Sequence, residues 1–476
     1  MDVLAVAREA AETGPVCDCC LGRLVADRSF GLTNADRGHS LRVAVALADD
    51  EPFAAPEERC WVCEDECGAG AYEDWAERAV AALRGYDFGT YQVGTSVPPL
   101  LEENDALLRE DVGLPADAGE ALKTEFNREV GKRVGERTGA EADFERPDVQ
   151  LLLDLATETV EVQVNSAFVY GRYRKLERDV PQTEWPCSAC NATGIKRGEE
   201  CRECDGTGYR YDTSVEQLVA PVVREAMEGS EAVFHGAGRE DVDARMLGTG
   251  RPFVLEVKEP RSRTVDAASL EAEVNEFADG RVEVEGLTPA TYEMVERVKE
   301  HDASKRYRMA VALEEPVAAT DLRRALDALD GATVEQETPQ RVDHRRASKT
   351  RRRAVYAIEG HLVNPETFEG RDPGEAAEPA EAAEPAEAAQ PVEAAEPAES
   401  TAAIVEVHGE GGLYVKELVS GDEGRTEPSL AGELGVRARV TALDVLAVTG
   451  EDEPFEDPDY FRSGVKDIDP SPRTDE

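Results

Sequence analysis

Apolar residues recur every four positions along GEALKTEFNREVGKRVGERTG, where Leu122, Phe126, Val130 and Val134 share one face and predict a helix. The apolar positions of VLAVAREAA predict another helix near the N-terminus. In PDVQLLLDLATETVEVQVNSAFVYGRYRKL the alternation of Val160, Val162 and Val164 predicts two β segments, the second running into the basic, aromatic GRYRK. A further helix is expected over TSVEQLVAPVVREAMEG, opened by a capping box of Thr213 with Glu216. Beyond it, short apolar runs predict strands: FVLEV at 253–257, YRMAVAL at 307–313, VYAIEG near 355, AIVEVHG at 403–409 and LDVLAVTG at 443–450.

These patterns divide the chain. Residues 1–74 read as a cysteine-rich lobe, 75–185 as a second unit, 186–211 as a pair of cysteine turns and 212–450 as a mixed α+β domain. Within the last, the Ala/Glu/Pro repeat of 373–401 cannot bury a core and is expected to be a disordered insertion between strands. The acidic tail, 451–476, is expected to be mobile as well.

Charge changes how every basic residue is weighed. The 476 residues include 101 acidic and 53 basic ones, a net charge of −48. With 41% hydrophobic residues and clear patterning the chain is not a disordered acidic protein. An acidic surface adapted to concentrated salt fits better, and only ten of the 53 basic residues are lysine. At about 1 M salt the Debye length falls to roughly 3 Å, so the net charge does not exclude an anionic partner such as nucleic acid. MDVLAVAREAAETG lacks a basic n-region, and no run of about 18 apolar residues occurs, which points to a cytoplasmic protein without a membrane partner.

Eight of ten cysteines fall in four C-x-x-C pairs: Cys17 and Cys20, Cys60 and Cys63, Cys187 and Cys190, Cys201 and Cys204. Two such turns bring four thiolates to one tetrahedral zinc, and CSACNATG with CRECDGTG makes a near repeat. Cys19 and Cys67 leave the N-terminal ligand choice open. All-cysteine sites have no open position, so zinc is expected to be structural. Buried free thiols or a redox pair are the alternative.

Basic residues cluster locally. Lys123, Arg128, Lys132, Arg133 and Arg137 share one helix with GRYRK close behind, and six basic residues fall in Arg345–Arg353. A nucleic-acid platform and phosphate contacts are the sharp readings, solvated surface charge the plain one. GREDVDARMLGTGRPF, residues 238–253, sets Asp241 beside Arg239 on a glycine-bounded turn. A carboxylate acting on a nucleobase needs such a loop, reachable by an extruded nucleotide, with arginines for phosphate and an aromatic to receive the base. Asp243 completes a D-x-D, for which a metal site is the alternative reading, though no partnering His or third acid accompanies it. Glycines 236, 238, 248 and 250 form no G-x-G-x-x-G, and no G-x-x-x-x-G-K-[ST] occurs.

The G-R-x-D arrangement resembles the catalytic loop of pseudouridine synthases. The full run GREDVDARMLGTGRPF is similar to the archaeal and eukaryotic tRNA pseudouridine synthases whose archaeal members modify positions 54 and 55 of the TΨC loop. LKTEFNREVGKRV and VNSAFVYGRYRKL resemble that family's RNA-binding THUMP domain, and TSVEQLV, KRYRMAVAL and GLYVKELVSGDEGRTEPSL follow in order. The resemblance implies an α+β fold, a zinc-containing THUMP region followed by a catalytic domain with a mixed, mainly antiparallel sheet flanked by helices. It further implies Asp241 as nucleophile, Tyr307 stacked on the uracil, Tyr414 closing the pocket, Lys416 against Asp241 and Arg239 as the flipping wedge. Catalysis would need no cofactor, the partner would be the TΨC arm of tRNA, and a monomer is expected. A THUMP-type methyltransferase or thiolation enzyme would need a nucleotide or S-adenosylmethionine loop that is missing. A non-catalytic zinc-containing tRNA-binding or chaperone protein is the remaining rival; it would tolerate Asp241→Asn.

Overall fold

The computed structural model describes residues 2–300, 303–341, 349–365, 396–450 and 457–462. Helices α1 (Val3–Glu12), α2 (Asp18–Arg23), α3 (Asn34–Asp49) and α4 (Ala69–Ala82) come first. The Asp2 carboxylate caps α1 by accepting from the Leu4 and Ala5 amides, and Val6, Ala7 and Ala10 turn inward. A four-stranded sheet follows, built from β1 (Thr90–Ser96), β2 (Glu141–Ala142), β3 (Val149–Asp154) and β4 (Thr159–Val164) in the order β2-β1-β3-β4. Its helices are α5 (Pro99–Asp111) and α6 (Leu122–Thr138). The predicted face of α6 is buried in full: Leu122, Phe126, Val130 and Val134 expose 2% or less. One apolar core extends from Val6 to Leu155, so the cysteine-rich lobe and the sheet after it bury their apolar faces together.

The segment expected to close the second unit departs from the sequence reading. VQLLLDL and TVEVQV are separate antiparallel strands, β3 and β4, whereas AFVYGRYRK forms β5 (Ala167–Lys175). Strand β5 joins a larger sheet instead, pairing antiparallel with two later strands, β9 (Ala244–Lys258) and β10 (Val282–Ala290). Alternation sets which face a strand buries and leaves its partner open, which is why the sequence grouped β5 with its neighbours.

After β5, β6 (Ile195–Lys196) and β7 (Glu199–Glu200) make a small hairpin within the cysteine turns. Then come α7 (Val215–Ala226), β8 (Glu231–Gly236), β9 (Ala244–Lys258), α8 (Ala267–Ala278), β10 (Val282–Ala290), α9 (Tyr292–Lys299), β11 (Ala303–Ala318) and α10 (Ala319–Leu329). The chain continues through β12 (Thr333–Glu337), β13 (Thr350–Leu362), β14 (Glu399–Gly409), α11 (Val415–Ser420), β15 (Thr426–Glu427), α12 (Leu430–Leu434) and β16 (Ala438–Gly450). The sheet order is β10-β5-β9-β16-β11-β14-β13-β12-β15, with β8 on β9. All of these pairings are antiparallel except β16 with β9. The sheet is thus mixed and mainly antiparallel, with one half cored against α7 and α8 and the other against α10, α11 and α12.

Two boundaries shift. Ser214, not Thr213, caps α7, its side chain accepting from the Gln217 amide at 3.2 Å, and the Glu216 amide that a Thr213 cap would need is already taken by the Gln182 carbonyl at 3.0 Å. The Ala/Glu/Pro insertion ends earlier than 401, since Glu399, Ser400 and Thr401 already belong to β14; residues 373–395 lie outside the described residues. Part of the acidic tail is also placed: Tyr460 and Phe461 pack against the α9 cluster, and Arg462 reaches Asp148, the residue that precedes β3. The rest of 451–476 lies outside the described residues. Among the described residues no helix is long and apolar enough to cross a membrane.

Candidate active site

Strand β9 changes partner partway along, and that change creates the loop at the centre of the site. Its later residues pair with β5 and β8, while Ala244–Met246 pair with β16. At the crossover Gly248 has φ 56°, and a Cβ there would lie 1.9 Å from the Leu446 carbonyl oxygen, so only glycine fits. The segment between β8 and β9 carries Gly238, Arg239, Glu240, Asp241 and Asp243.

Glu240 holds this loop from beneath. Its side chain is 1% exposed and lies 2.9 Å from Arg251 Nε and 3.6 Å from Lys175 Nζ. The Tyr173 hydroxyl donates to Glu240 Oε2 at 2.9 Å, and Gln182 Nε2 donates to that hydroxyl and to the Gly238 carbonyl, each at 2.9 Å. Lys175 donates to the Val180 carbonyl at 2.7 Å and the Val242 carbonyl at 3.1 Å. Burial pushes the Lys175 ammonium down, with Glu240 opposing, and the buried phenol of Tyr173 is pushed well up. A buried charge left unpaired is costly, so the network fixes the loop backbone. At the other end, Arg245 pairs with buried Asp444 at 3.0 Å, as does Arg178 at 2.7 Å.

With its neighbours fixed, half-buried Asp241 faces two cations. Arg341 Nη1 lies 3.2 Å from Asp241 Oδ2, and Lys416 Nζ lies 3.2 Å from the same oxygen. Burial alone would raise the Asp241 carboxyl. Arg341 and then Lys416 outweigh it and hold the group below the usual carboxylate range, hence ionised. Lys416 approaches Asp243 more closely, at 2.7 Å, and so bridges both carboxylates of the D-x-D. Its ammonium occupies the place a metal would take. Arg341 is itself held by Glu417, at 2.7 Å from Nε; the Glu417 side chain is only 6% exposed.

The cavity above Asp241 measures about 790 Å³, within the range of ligand sites. Tyr307 on β11, Tyr414 at the start of α11, Arg239 and Lys416 all line it with Asp241. Burial, moderated by Arg251 and reinforced by Asp241, pushes the Tyr307 phenol up to about 12, so the ring is neutral. Tyr414 is fixed through its backbone, its amide donating to Gln336 Oε1 and its carbonyl accepting from Gln336 Nε2, both at 2.9 Å. The Arg351 guanidinium stands 5.9 Å from its ring centroid. Arg239 is exposed and makes no hydrogen bond or ion pair with the described residues.

Sequence reasoning missed Arg341, Glu240, Lys175 and Glu417. Arg341 opens the run RVDHRRASKTRRR, and its position next to that basic cluster was the one available signal. The expected RNA-binding cations serve structure more than exposure. On α6, Arg128 pairs with Glu120 at 2.9 Å and Arg133 with Glu129 at 2.8 Å, while Arg137 pairs with Glu73. In GRYRK, Arg172 donates to the Thr249 carbonyl at 2.6 Å and Lys175 is buried. Of the 345–353 cluster, Arg352 pairs with Glu335 and Arg353 with Glu410; Arg345 and Arg346 lie outside the described residues.

Two groups of four cysteines converge, Cys17, Cys20, Cys60 and Cys63 in one and Cys187, Cys190, Cys201 and Cys204 in the other. Sulfurs stand 3.7 Å apart for Cys17–Cys63 and Cys20–Cys60, 3.9 Å for Cys187–Cys201 and 3.7 Å for Cys190–Cys204. Ligands about 2.3 Å from a tetrahedral zinc stand roughly 3.8 Å from one another, so both groups fit the ion. Cys67 instead accepts from Arg23 Nη1 at 3.3 Å, and neither Cys67 nor Cys19 joins a group of four. The first group lies in the core of the N-terminal unit, and the second forms a small buried cluster of its own.

Comparison with known proteins bears on this geometry. The family model described as Pus10, C-terminal, matches residues 168–371 and 388–449, and the archaeal Pus10 THUMP domain matches residues 75–154. A tRNA pseudouridine synthase Pus10 from Halorubrum lacusprofundi is 59% identical over 463 residues, covering 97% of this chain and 100% of that protein. The proteins of the same name from Methanothrix thermoacetophila and Methanopyrus kandleri are 39% and 36% identical. They cover 94% and 93% of this chain, and 95% and 98% of their own lengths.

Proposed function

Because the chain belongs to the Pus10 family of tRNA pseudouridine synthases, we propose that it isomerises uridines 54 and 55 in the TΨC loop of tRNA at Asp241. The observation that carries this reading is an ionised carboxylate held between Arg341 and Lys416 on the wall of a nucleotide-sized cavity, with Tyr307 beside it. Isomerisation breaks the N1–C1′ bond and forms C5–C1′; the C5 proton departs, N1 gains one, and no electrons are exchanged. Such a reaction needs no cofactor. It needs an extruded uridine, a charged group at the glycosidic bond and a dry surface on which the detached uracil rotates.

Each residue has a part. Asp241 acts at the glycosidic bond, its negative charge maintained by the two cations. Tyr307 stacks on the uracil, and Tyr414 closes the cavity from the start of α11. Arg239, exposed at the mouth, fills the place the uridine leaves in the RNA stack. Zinc at the two cysteine groups would hold local folds and take no part in the chemistry. A monomer is the state this reading expects, working in a salt-rich cytoplasm.

The test is position-resolved mapping of pseudouridine in a tRNA transcript incubated with the protein in concentrated potassium chloride, with cytidine placed in turn at positions 54 and 55. Product at whichever uridine remains supports the reading. Product only outside the TΨC loop would overturn it.

A further inference from the structure

The second pair of cysteine turns stands on a short stem, and the foot of that stem reaches the active-site cavity. Cys187 donates its amide to the Gly208 carbonyl at 2.8 Å, and Arg210 donates to the Trp185 carbonyl at 3.0 Å. Pro186 and Tyr209 pair as an antiparallel bridge. At the foot, Trp185 and Tyr211 meet edge to face, ring centroids 5.5 Å apart and planes at 75°. Both rings are half-buried, Arg210 is exposed, and all three line the cavity that holds Asp241. Gln182, a few residues before the stem, donates to the Gly238 carbonyl and so ties its foot to the catalytic loop.

The chemistry at Asp241 uses none of these three residues. The cavity, at about 790 Å³, is also larger than a single uracil ring requires. We propose that Trp185 and Tyr211, with Arg210 beside them, form a stacking site for the nucleotide adjacent to the target uridine in the substrate RNA. This rests on the tRNA-modifying reading above. Extruding one nucleotide strips its neighbour of a stacking partner, and an aromatic face replaces that partner whatever the base. Salt strengthens the argument. Phosphate contacts weaken steeply as ionic strength rises, whereas stacking on an aromatic ring does not depend on counterion release, so a chain of net charge −48 gains most from rings. The four buried sulfurs of Cys187, Cys190, Cys201 and Cys204 make the stem a rigid mount for the platform.

Tryptophan emission gives a direct readout, because the chain has three tryptophans and only Trp185 lines the cavity. The full chain, with its zinc, is titrated with a TΨC stem-loop RNA in concentrated potassium chloride. RNA is expected to quench the emission, and the quench is expected to vanish in Trp185→Phe. Tyr211→Ala should weaken binding about tenfold, with Tyr211→Phe close to the native chain. Equal quenching in Trp185→Phe, or binding by Tyr211→Ala within twofold of native, overturns the proposal. Should Tyr211→Ala fail to fold, the native chain is irradiated with RNA carrying 5-iodouridine on either side of the target. Cross-links at Trp185 or Tyr211 support the site, and cross-links only elsewhere overturn it. A native chain that forms pseudouridine but fails these tests sinks the stacking site alone; one that forms none sinks the underlying reading as well.

Discussion

At the scale of single residues, the site turns on how Asp241 keeps its charge. Burial opposes ionisation, and Arg341 with Lys416 overcomes it, so the folded carboxyl sits below its ordinary value. Its charge is therefore complete at neutral pH and is lost only as pH falls through that lowered value. Replacing either cation by methionine raises the Asp241 value toward the range its burial favours. The acid limb of the kcat/KM profile should then move to higher pH in Arg341→Met and in Lys416→Met, measured from about pH 4 to 8. An acid limb that stays in place in both variants would show that the pair does not govern ionisation. Lys416 was legible only because GLYVKEL matched a family pattern. Arg341 was hardly legible: it lies 100 residues from Asp241 in sequence, and nothing in its surroundings beyond the basic cluster that follows marks it out. Its role exists only once β12 and α11 bring it against Glu417 and Asp241.

Elements divide by how much of their environment is local. Helix α6 was readable because a four-residue repeat determines its buried face without reference to any partner. Strand β5 was placed in the wrong company because its partners, β9 and β10, lie about 70 to 120 residues downstream. The cysteine turns were legible from spacing alone, since two thiolates three residues apart can share one ion. Metal analysis of the purified chain should return about two zinc ions, and Cys201→Ser should lose one while keeping the other. Iron, or no metal, would contradict the assignment. The connection after β13 makes a second test. Strands β13 and β14 pair from Val355 with Gly409 to Leu362 with Ala403, and both strands lie outside 366–395. Replacing residues 366–395 by a short glycine-serine loop should leave the melting temperature and activity close to native. Loss of folding would show that the segment is part of the core.

Across the whole molecule, an excess of acid must coexist with binding of a polyanion. The structure handles much of its charge locally: the cations of α6 pair with Glu73, Glu120 and Glu129, and Asp148 draws Arg263 and Arg462 between the two sheets. What remains is a large net negative surface, whose self-repulsion salt screens, with the Debye length falling from about 10 Å at 0.1 M to about 3 Å at 1 M. The melting temperature should rise as potassium chloride is increased over that range, and a flat or falling trend would argue against salt adaptation. The chain's activity as a whole can be read in one assay, the release of tritium from C5 of uridine in labelled tRNA at high salt. Isomerisation at Asp241 predicts that the native chain releases tritium and that Asp241→Asn, binding the same tRNA, releases none above background. Release by Asp241→Asn at a rate near native would contradict the account and move the chemistry to another residue.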